Sequence, residues 1–113
     1  MSKLQEKVDH FSTKLGEMNQ KVDHDLLHAV AKGLGPALYN KDAEFVAASD
    51  QTEVDRVKNN FLMKKLGLTE QDNLDEAMQK VFEIMGTSNP RKYRGIVYYL
   101  LVKHYNKQSV YGL

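Results

Sequence analysis

The chain has 113 residues, a length that corresponds to one domain, and we expect a single helical domain over residues 1–113. Hydrophobic residues make up 42% of the chain and charged residues 27%, as in typical globular proteins, and the net charge of +1 excludes a long acidic or basic disordered tail. There is no cysteine, which excludes a disulfide framework, a thiolate zinc site and a cysteine nucleophile.

The first two predicted elements are amphipathic helices. In the first, apolar residues recur at steps of four, three, four and three, which places them on one helical face. They are Leu4, Val8, Phe11, Leu15 and Met18. A short second helix begins at Asp23 or Asp25, whose carboxylate would cap backbone N–H groups. It ends at Gly35-Pro36, and we predict a positive φ at Gly35 because glycine adopts the left-handed conformation of helix caps.

The segment 36–50 has no single clear pattern. Residues 42–48 predict two turns of helix. Asp50 and Glu53 then have the spacing of a capping box at the start of a third long helix. This helix is predicted to end at Gly67, since Leu66-Gly67-Leu68 is typical of a left-handed cap with an apolar residue folding back.

Two further helices follow. The fourth is predicted from Asn73, again with capping-box spacing, to Gly86. The fifth is predicted from Asn89-Pro90 to about Asn106, because asparagine is a good N-cap and proline suits the first helical position.

The centre of the fifth helix, residues 96–102, is apolar on every side, so we expect this helix to be central and buried. The first four helices and the tail residues Val110, Tyr111 and Leu113 would cover its second apolar face. Gly95 would let another helix or the tail approach closely. The sequence therefore predicts an all-α fold, a compact single-domain bundle of five main helices with a central C-terminal helix.

Two groups of motifs resemble a known family. The first group is Ala31-Lys32-Gly33-Leu34-Gly35-Pro36, Tyr39-Asn40-Lys41-Asp42-Ala43-Glu44, Asp55-Arg56-Val57-Lys58 and Lys64-Lys65-Leu66-Gly67. The second is Lys92-Tyr93-Arg94, Tyr98-Tyr99-Leu100-Leu101-Val102-Lys103 and Ser109-Val110-Tyr111-Gly112. Together they resemble the small bacterial proteins known as domain of unknown function 2853, over nearly the whole chain. The resemblance implies a bacterial, single-domain helical protein and implies no activity or site residue.

A metal site is the first functional candidate. His24 and His28 lie one helical turn apart, a spacing that can bind a metal, but the sequence places no third ligand beside them. We therefore expect neither a metal nor a cofactor. The glycines Gly33 and Gly35 follow a helix, whereas a phosphate-binding loop places its glycines before one.

A polar pocket is the second candidate. Polar side chains crowd the irregular middle of the chain, where burial could separate the pKa values of neighbouring carboxylates for acid–base chemistry. The candidate residues are Tyr39, Asn40, Asp42, Asp55 and Arg56.

An interaction surface on the C-terminal helix is the third candidate. Residues 87–113 hold five basic residues, no acidic residue and five of the six tyrosines, whereas the remainder has 11 basic and 15 acidic residues. Interleaved cations and rings can bind phosphates and stack on bases, although tyrosines more often pack in the core. The candidate surface consists of Arg91, Lys92, Arg94, Tyr98, Val102 and Tyr105.

From these patterns we predict a non-enzymatic binding or protein-interaction module, with a protein partner or a second copy of the chain as its partner. One alternative is a nucleic-acid-associated protein that uses the C-terminal helix. A second alternative is an enzyme or metal protein that uses the polar residues of 39–56 or the histidine pair. No apolar run reaches the 18 residues of a membrane span, and the first residues lack the apolar stretch of a signal peptide, so we expect a cytoplasmic location without membrane attachment.

Overall fold

The computed structural model of the protein describes residues 2–41, 43–86 and 91–113. Five helices dominate these residues and confirm the mostly helical fold. They are α1 (Lys3–Glu17), α2 (His24–Leu34), α3 (Gln51–Arg56, continued by a π-helix over Val57–Lys65), α4 (Leu74–Met85) and α5 (Arg94–Tyr105). Short 3₁₀ turns lie at Gly35–Leu38, Glu70–Asp72 and Gln108–Tyr111. Within the described ranges, no helix is both long and apolar enough to cross a lipid bilayer.

The ends of the helices follow local chemistry for the most part. Asp23 caps α2, since its carboxylate accepts a hydrogen bond from the Leu26 N–H at 3.2 Å. Gly35 has a φ of 58°, which confirms the predicted left-handed end of α2. At α4 the predicted capping box is wrong: the Asn73 side chain makes no capping bond, and the capping box lies one turn earlier, between Thr69 and Asp72.

Residues 45–47 and 91–93 form a small antiparallel sheet that the sequence patterns did not predict. Strand β1 (Phe45–Ala47) pairs with strand β2 (Arg91–Tyr93), with Phe45 opposite Tyr93 and Val46 opposite Lys92. The helical turns predicted for 42–48 are therefore wrong: Ala43 and Glu44 form a turn and a bend, and residues 45–47 form the strand. Aromatic and β-branched residues favour strands, and Val46 is fully buried in this conformation.

The fifth helix begins later than predicted. It starts at Arg94, directly after β2, and the predicted start at Asn89-Pro90 lies outside the described residues. The Arg94 N–H donates to the Glu44 carbonyl at 2.7 Å, so the first turn of α5 is tied to the chain just before β1. Pairing with β1 thus holds residues 91–93 as a strand, where local patterns favour helix.

Helix α5 is central, as predicted. Leu100 is 5% exposed, and Leu101 and Val102 are completely buried. A Cβ atom on Gly95 would lie only 2.5 Å from Cε2 of Phe11, which confirms that this glycine lets α1 approach closely.

Other parts of the chain cover the second apolar face of α5. Phe61, on the π-helix, stacks on Tyr98 with 3.8 Å between ring centroids, and the Tyr105 hydroxyl donates to the Asp72 carbonyl at 2.8 Å. Val110 and Tyr111 of the tail pack partly buried against the core. The predicted contribution of Leu113 is wrong, since this residue is 54% exposed.

Candidate functional site

The residues of the predicted polar pocket lie in different environments. Tyr39 is exposed and lines a cavity beside α1. The Asn40 carboxamide oxygen accepts the Ala43 N–H at 3.2 Å within its own turn. Asp55 on α3 accepts from Gln51 at 2.9 Å, and Arg56 is mostly exposed beside Glu53. Asp42 lies outside the described residues.

Arg94, a member of the predicted interaction surface, ties three parts of the fold together. Its Nε donates to the Ala43 carbonyl at 2.7 Å, and one terminal nitrogen donates to the Tyr98 hydroxyl at 3.0 Å. The other terminal nitrogen forms an ion pair with Glu53 of α3, and both side chains are 16% exposed. Burial by itself would lower the pKa of the Arg94 guanidinium, but Tyr98 and Glu53 outweigh that effect and raise it. Arg94 is therefore engaged within the fold.

The structure also turns other members of that surface inward. Lys92 is 4% exposed and Val102 is fully buried, so neither contributes to an accessible face. Arg91 lies on β2 with its backbone opposite Ala47. Tyr98 and Tyr105 are partly buried, and their rings and hydroxyls are used in the contacts with Phe61 and Asp72 described above.

The histidine pair lies on the outside of α2. His24 and His28 are both solvent-exposed. Among the described residues, no three histidine, aspartate or glutamate side chains come together in an arrangement that could hold a metal ion.

A groove runs along α1, and we call it the α1 groove. It consists of two adjoining cavities of about 520 and 460 Å³ that share His10 and Tyr93. The larger, the Lys92 cavity, is lined by His10, Lys14, Glu17, Met18, Phe45, Met85, Lys92, Tyr93 and Ile96. The smaller, the Tyr39 cavity, is lined by Lys3, Glu6, Lys7, His10, Tyr39 and Tyr93. Both volumes are within the range of pockets that bind small molecules.

Tyr93 and His10 form the wall between the two cavities. The His10 ring meets the Tyr93 ring edge-on at 5.2 Å, and His10 Nε2 lies 3.2 Å from the Tyr93 hydroxyl. Tyr93 in turn packs against Phe45 at 4.7 Å and against the buried Phe11 at 5.4 Å. Because the buried Phe11 ring and the Phe45 ring both pack against Tyr93, this wall is held in place before any ligand binds.

Lysines supply the charge of the groove. Lys7 pairs with Glu44 at 3.0 Å, and Lys14 lies 3.8 Å from Glu17. Lys92 Nζ donates to the Gly86 carbonyl at 2.6 Å, and burial lowers the pKa of this ammonium group. Four lysines and two glutamates are among the described residues that line the groove. Because Lys92 is only 4% exposed, the accessible positive charge comes from Lys3, Lys7 and Lys14.

The basic side of this groove could have been predicted from the spacing of basic residues in α1, which the apolar pattern of the helix does not show. Lys3, Lys7, His10 and Lys14 follow one another at steps of four, three and four, so all four lie on one face of the helix. The predicted sites lay elsewhere, on α2, in the middle of the chain and on the C-terminal helix. The approach of Tyr39, Tyr93 and Lys92 to the basic face has no local signal, since each lies at least 25 positions from it along the chain.

Comparison with known proteins gives a family but no activity. No curated protein matches the chain. The model of the family DUF2853, described as a protein of unknown function, matches residues 10–109, which include α5, both strands and the second half of α1. This match covers most of the sequence, and the chain therefore belongs to the DUF2853 family.

Proposed function

We propose that this protein is a non-enzymatic binding module of the bacterial cytoplasm and that it binds an anionic ligand in the α1 groove. The observation that carries the proposal is the basic face of α1, where Lys3, Lys7 and Lys14 line two adjoining cavities. Each ammonium group offers three donors, so a lysine already paired with a carboxylate can still bind a second anion.

The lining of the groove favours binding over catalysis. Met18 and Met85, both partly buried, give the Lys92 cavity an apolar wall, and Lys14 lies beside it. Ligand pockets have this composition: apolar surface supplies most of the contact, and a few polar groups orient the ligand. Methionine side chains also adapt their shape to a ligand.

Nucleic-acid binding through the C-terminal helix has less support. Arg94 is committed to Glu53 and to backbone carbonyls, and Lys92 is buried. An enzyme built on the polar residues of 39–56 also has less support, because these residues do not share one site. Tyr39 lines a cavity beside α1. Asp55 instead bonds to Gln51 on α3 and to Lys58 on its π-helical continuation.

The test is a titration of isotope-labelled protein with inorganic pyrophosphate, followed by NMR. We expect the largest amide shifts on α1 and β2, close to His10 and Tyr93. The double charge reversal Lys3→Glu with Lys14→Glu changes one lysine in each cavity. It should weaken binding by about tenfold or more, because the cavity that holds the ion loses an ion contact and gains a repelling carboxylate.

Lys103→Glu is the matched control, since Lys103 is exposed on α5 and away from the groove lining. This variant should bind pyrophosphate like the parent. Shifts centred on Lys103 and His104, or unchanged binding in the double variant, would refute the proposal and favour the C-terminal helix.

A further inference from the structure

We propose that the ligand of the α1 groove is a phosphorylated nucleoside, with its base on the rings of the Tyr39 cavity and its phosphate on the lysines of α1. This inference rests on the proposed function and adds the chemical class of the ligand.

The first argument is the exposed ring of Tyr39. It is 45% exposed, whereas the large apolar side chains of the described residues are mostly buried. Its backbone is held at the end of the 3₁₀ turn after α2, because the Tyr39 N–H donates to the Pro36 carbonyl at 3.1 Å. An exposed ring beside a cavity is available for stacking on a planar ligand.

The second argument is the concentration of rings in one cavity. Tyr39, Tyr93 and His10 are three of the six residues that line the Tyr39 cavity. Nucleobases stack on such rings with little regard to base identity, since every base has a π face. At about 460 Å³ the cavity is of the size that takes a small molecule.

The third argument is the placement of cations beside these rings. Lys3 and Lys7 line the same cavity, one helical turn apart. Glu6 lines it as well, and Glu44 is bonded to Lys7 at 3.0 Å, so the cations face two carboxylates. A phosphate dianion competes better than a carboxylate for such ammonium groups, because it carries more charge and more acceptor oxygens.

Rings and lysines together distinguish a nucleotide from an acidic peptide. Carboxylates of a peptide would satisfy Lys3 and Lys7 but would leave the exposed Tyr39 ring without a planar partner. A nucleotide supplies the planar group and the anion within one molecule, at the short separation that a single cavity requires.

The experiment compares adenosine 5′-monophosphate with ribose 5-phosphate by calorimetry on the full chain. We expect the nucleotide to bind about tenfold more tightly, the usual order of one base–aromatic stacking contact. Tyr39→Ala should remove this advantage and leave ribose 5-phosphate binding unchanged. Tyr39→Phe keeps the ring and should keep the advantage; because Tyr39 is exposed, both variants should fold.

A single-stranded ten-nucleotide DNA then distinguishes the source of the nucleotide. Tighter binding than the mononucleotide, with a steep loss of affinity as salt rises, would assign a strand as the ligand, since a strand engages several lysines. Binding no tighter than that of the mononucleotide would assign a free nucleotide.

The failures of the two proposals are distinguishable. Adenosine 5′-monophosphate and ribose 5-phosphate could bind in the groove with equal affinity, and Tyr39→Ala could leave both affinities unchanged. That result would refute a nucleoside as the ligand but would not contradict the proposed anion-binding module. An acidic peptide that binds the groove more tightly than the nucleotide would also refute the nucleoside. If neither pyrophosphate nor either sugar phosphate binds at α1, both proposals are wrong.

Discussion

Gly95 sets the distance between the first and last helices of the fold. A Cβ atom at this position would come within 2.5 Å of the Phe11 ring, and Phe11 is 1% exposed and has little room to move. Gly95→Ala should therefore destabilise the protein by about 1–3 kcal/mol, the usual effect of overpacking a core. Urea unfolding measures this change.

Gly16→Ala is the matched control for this prediction. Gly16 also lies in a helix, α1, but a Cβ atom there would meet nothing within 4 Å. This change should be neutral or should stabilise the protein by about 0.5–1 kcal/mol, because alanine is the better helix former. Equal destabilisation by both alanines would show that contact with Phe11 is not the reason for the glycine.

At the scale of elements, Arg94 fastens β1, α3 and α5 to one another. Arg94→Ala would remove its bonds to Ala43 and Tyr98 and leave the Glu53 carboxylate with little solvent. Breaking a buried ion pair from one side costs about 3–5 kcal/mol, so we expect a loss near the lower end of that range.

Arg56→Ala provides the comparison for Arg94. The Arg56 guanidinium also lies near the Glu53 carboxylate, at 3.7 Å, but the Arg56 side chain is 67% exposed. Its removal should cost less than about 1 kcal/mol, as for other surface ion pairs. Chemical denaturation of both variants tests the difference. Similar losses would mean that the ion pair with Glu53 does not depend on burial.

Tyr111, in the C-terminal 3₁₀ turn, should make the stability of the protein depend on pH in the alkaline range. Burial, and then the nearby Tyr98, raises the pKa of Tyr111 to about 12, whereas an unfolded tyrosine titrates near ~10. Because the folded state holds the phenol proton more tightly, this contribution to stability is full below pH ~10 and disappears as the pH rises to about 12.

The variant Tyr111→Phe removes this titration. Its free energy of unfolding should fall less between pH ~10 and 12 than that of the parent. Denaturant unfolding at several pH values, with tyrosinate absorbance as a second signal, measures the difference. Parallel pH profiles of the two proteins would contradict the prediction.

At the scale of the whole molecule, one hydrophobic core connects all five helices. It contains Phe11, Leu62 and Leu101, each of them at most 1% exposed, and His24 and His28 lie outside it. We therefore expect a chelator to leave the thermal unfolding midpoint unchanged, and the double variant His24→Ala with His28→Ala to unfold like the parent. A large fall of the midpoint on chelation would instead assign the histidine pair to a structural metal.

The helices and the core could be predicted from the sequence. The spacing of Leu4, Val8 and Phe11, the carboxylate of Asp23 and the glycine at 35 act within a few residues, and such local signals determine where a helix forms and which face it buries. The same holds for the centrality of α5, since a helix that is apolar all round has to be covered on every side.

Only the tertiary structure decided the features that join distant parts of the chain. Strand β1 forms because residues 91–93 lie beside it, and the segment 42–48 by itself favours helix. The cations Lys92 and Arg94 point inward because Gly86, Ala43 and Glu53 supply their acceptors there.

The candidate site divides in the same way. The sequence alone predicts the basic face of α1, because Lys3, Lys7, His10 and Lys14 recur at the helical period. The cavities beside that face depend on Tyr39 and Tyr93, which reach α1 only when the turn after α2 and strand β2 have packed against it. Charge on one helix is a local property, whereas a groove is lined by several elements and exists only in the folded chain.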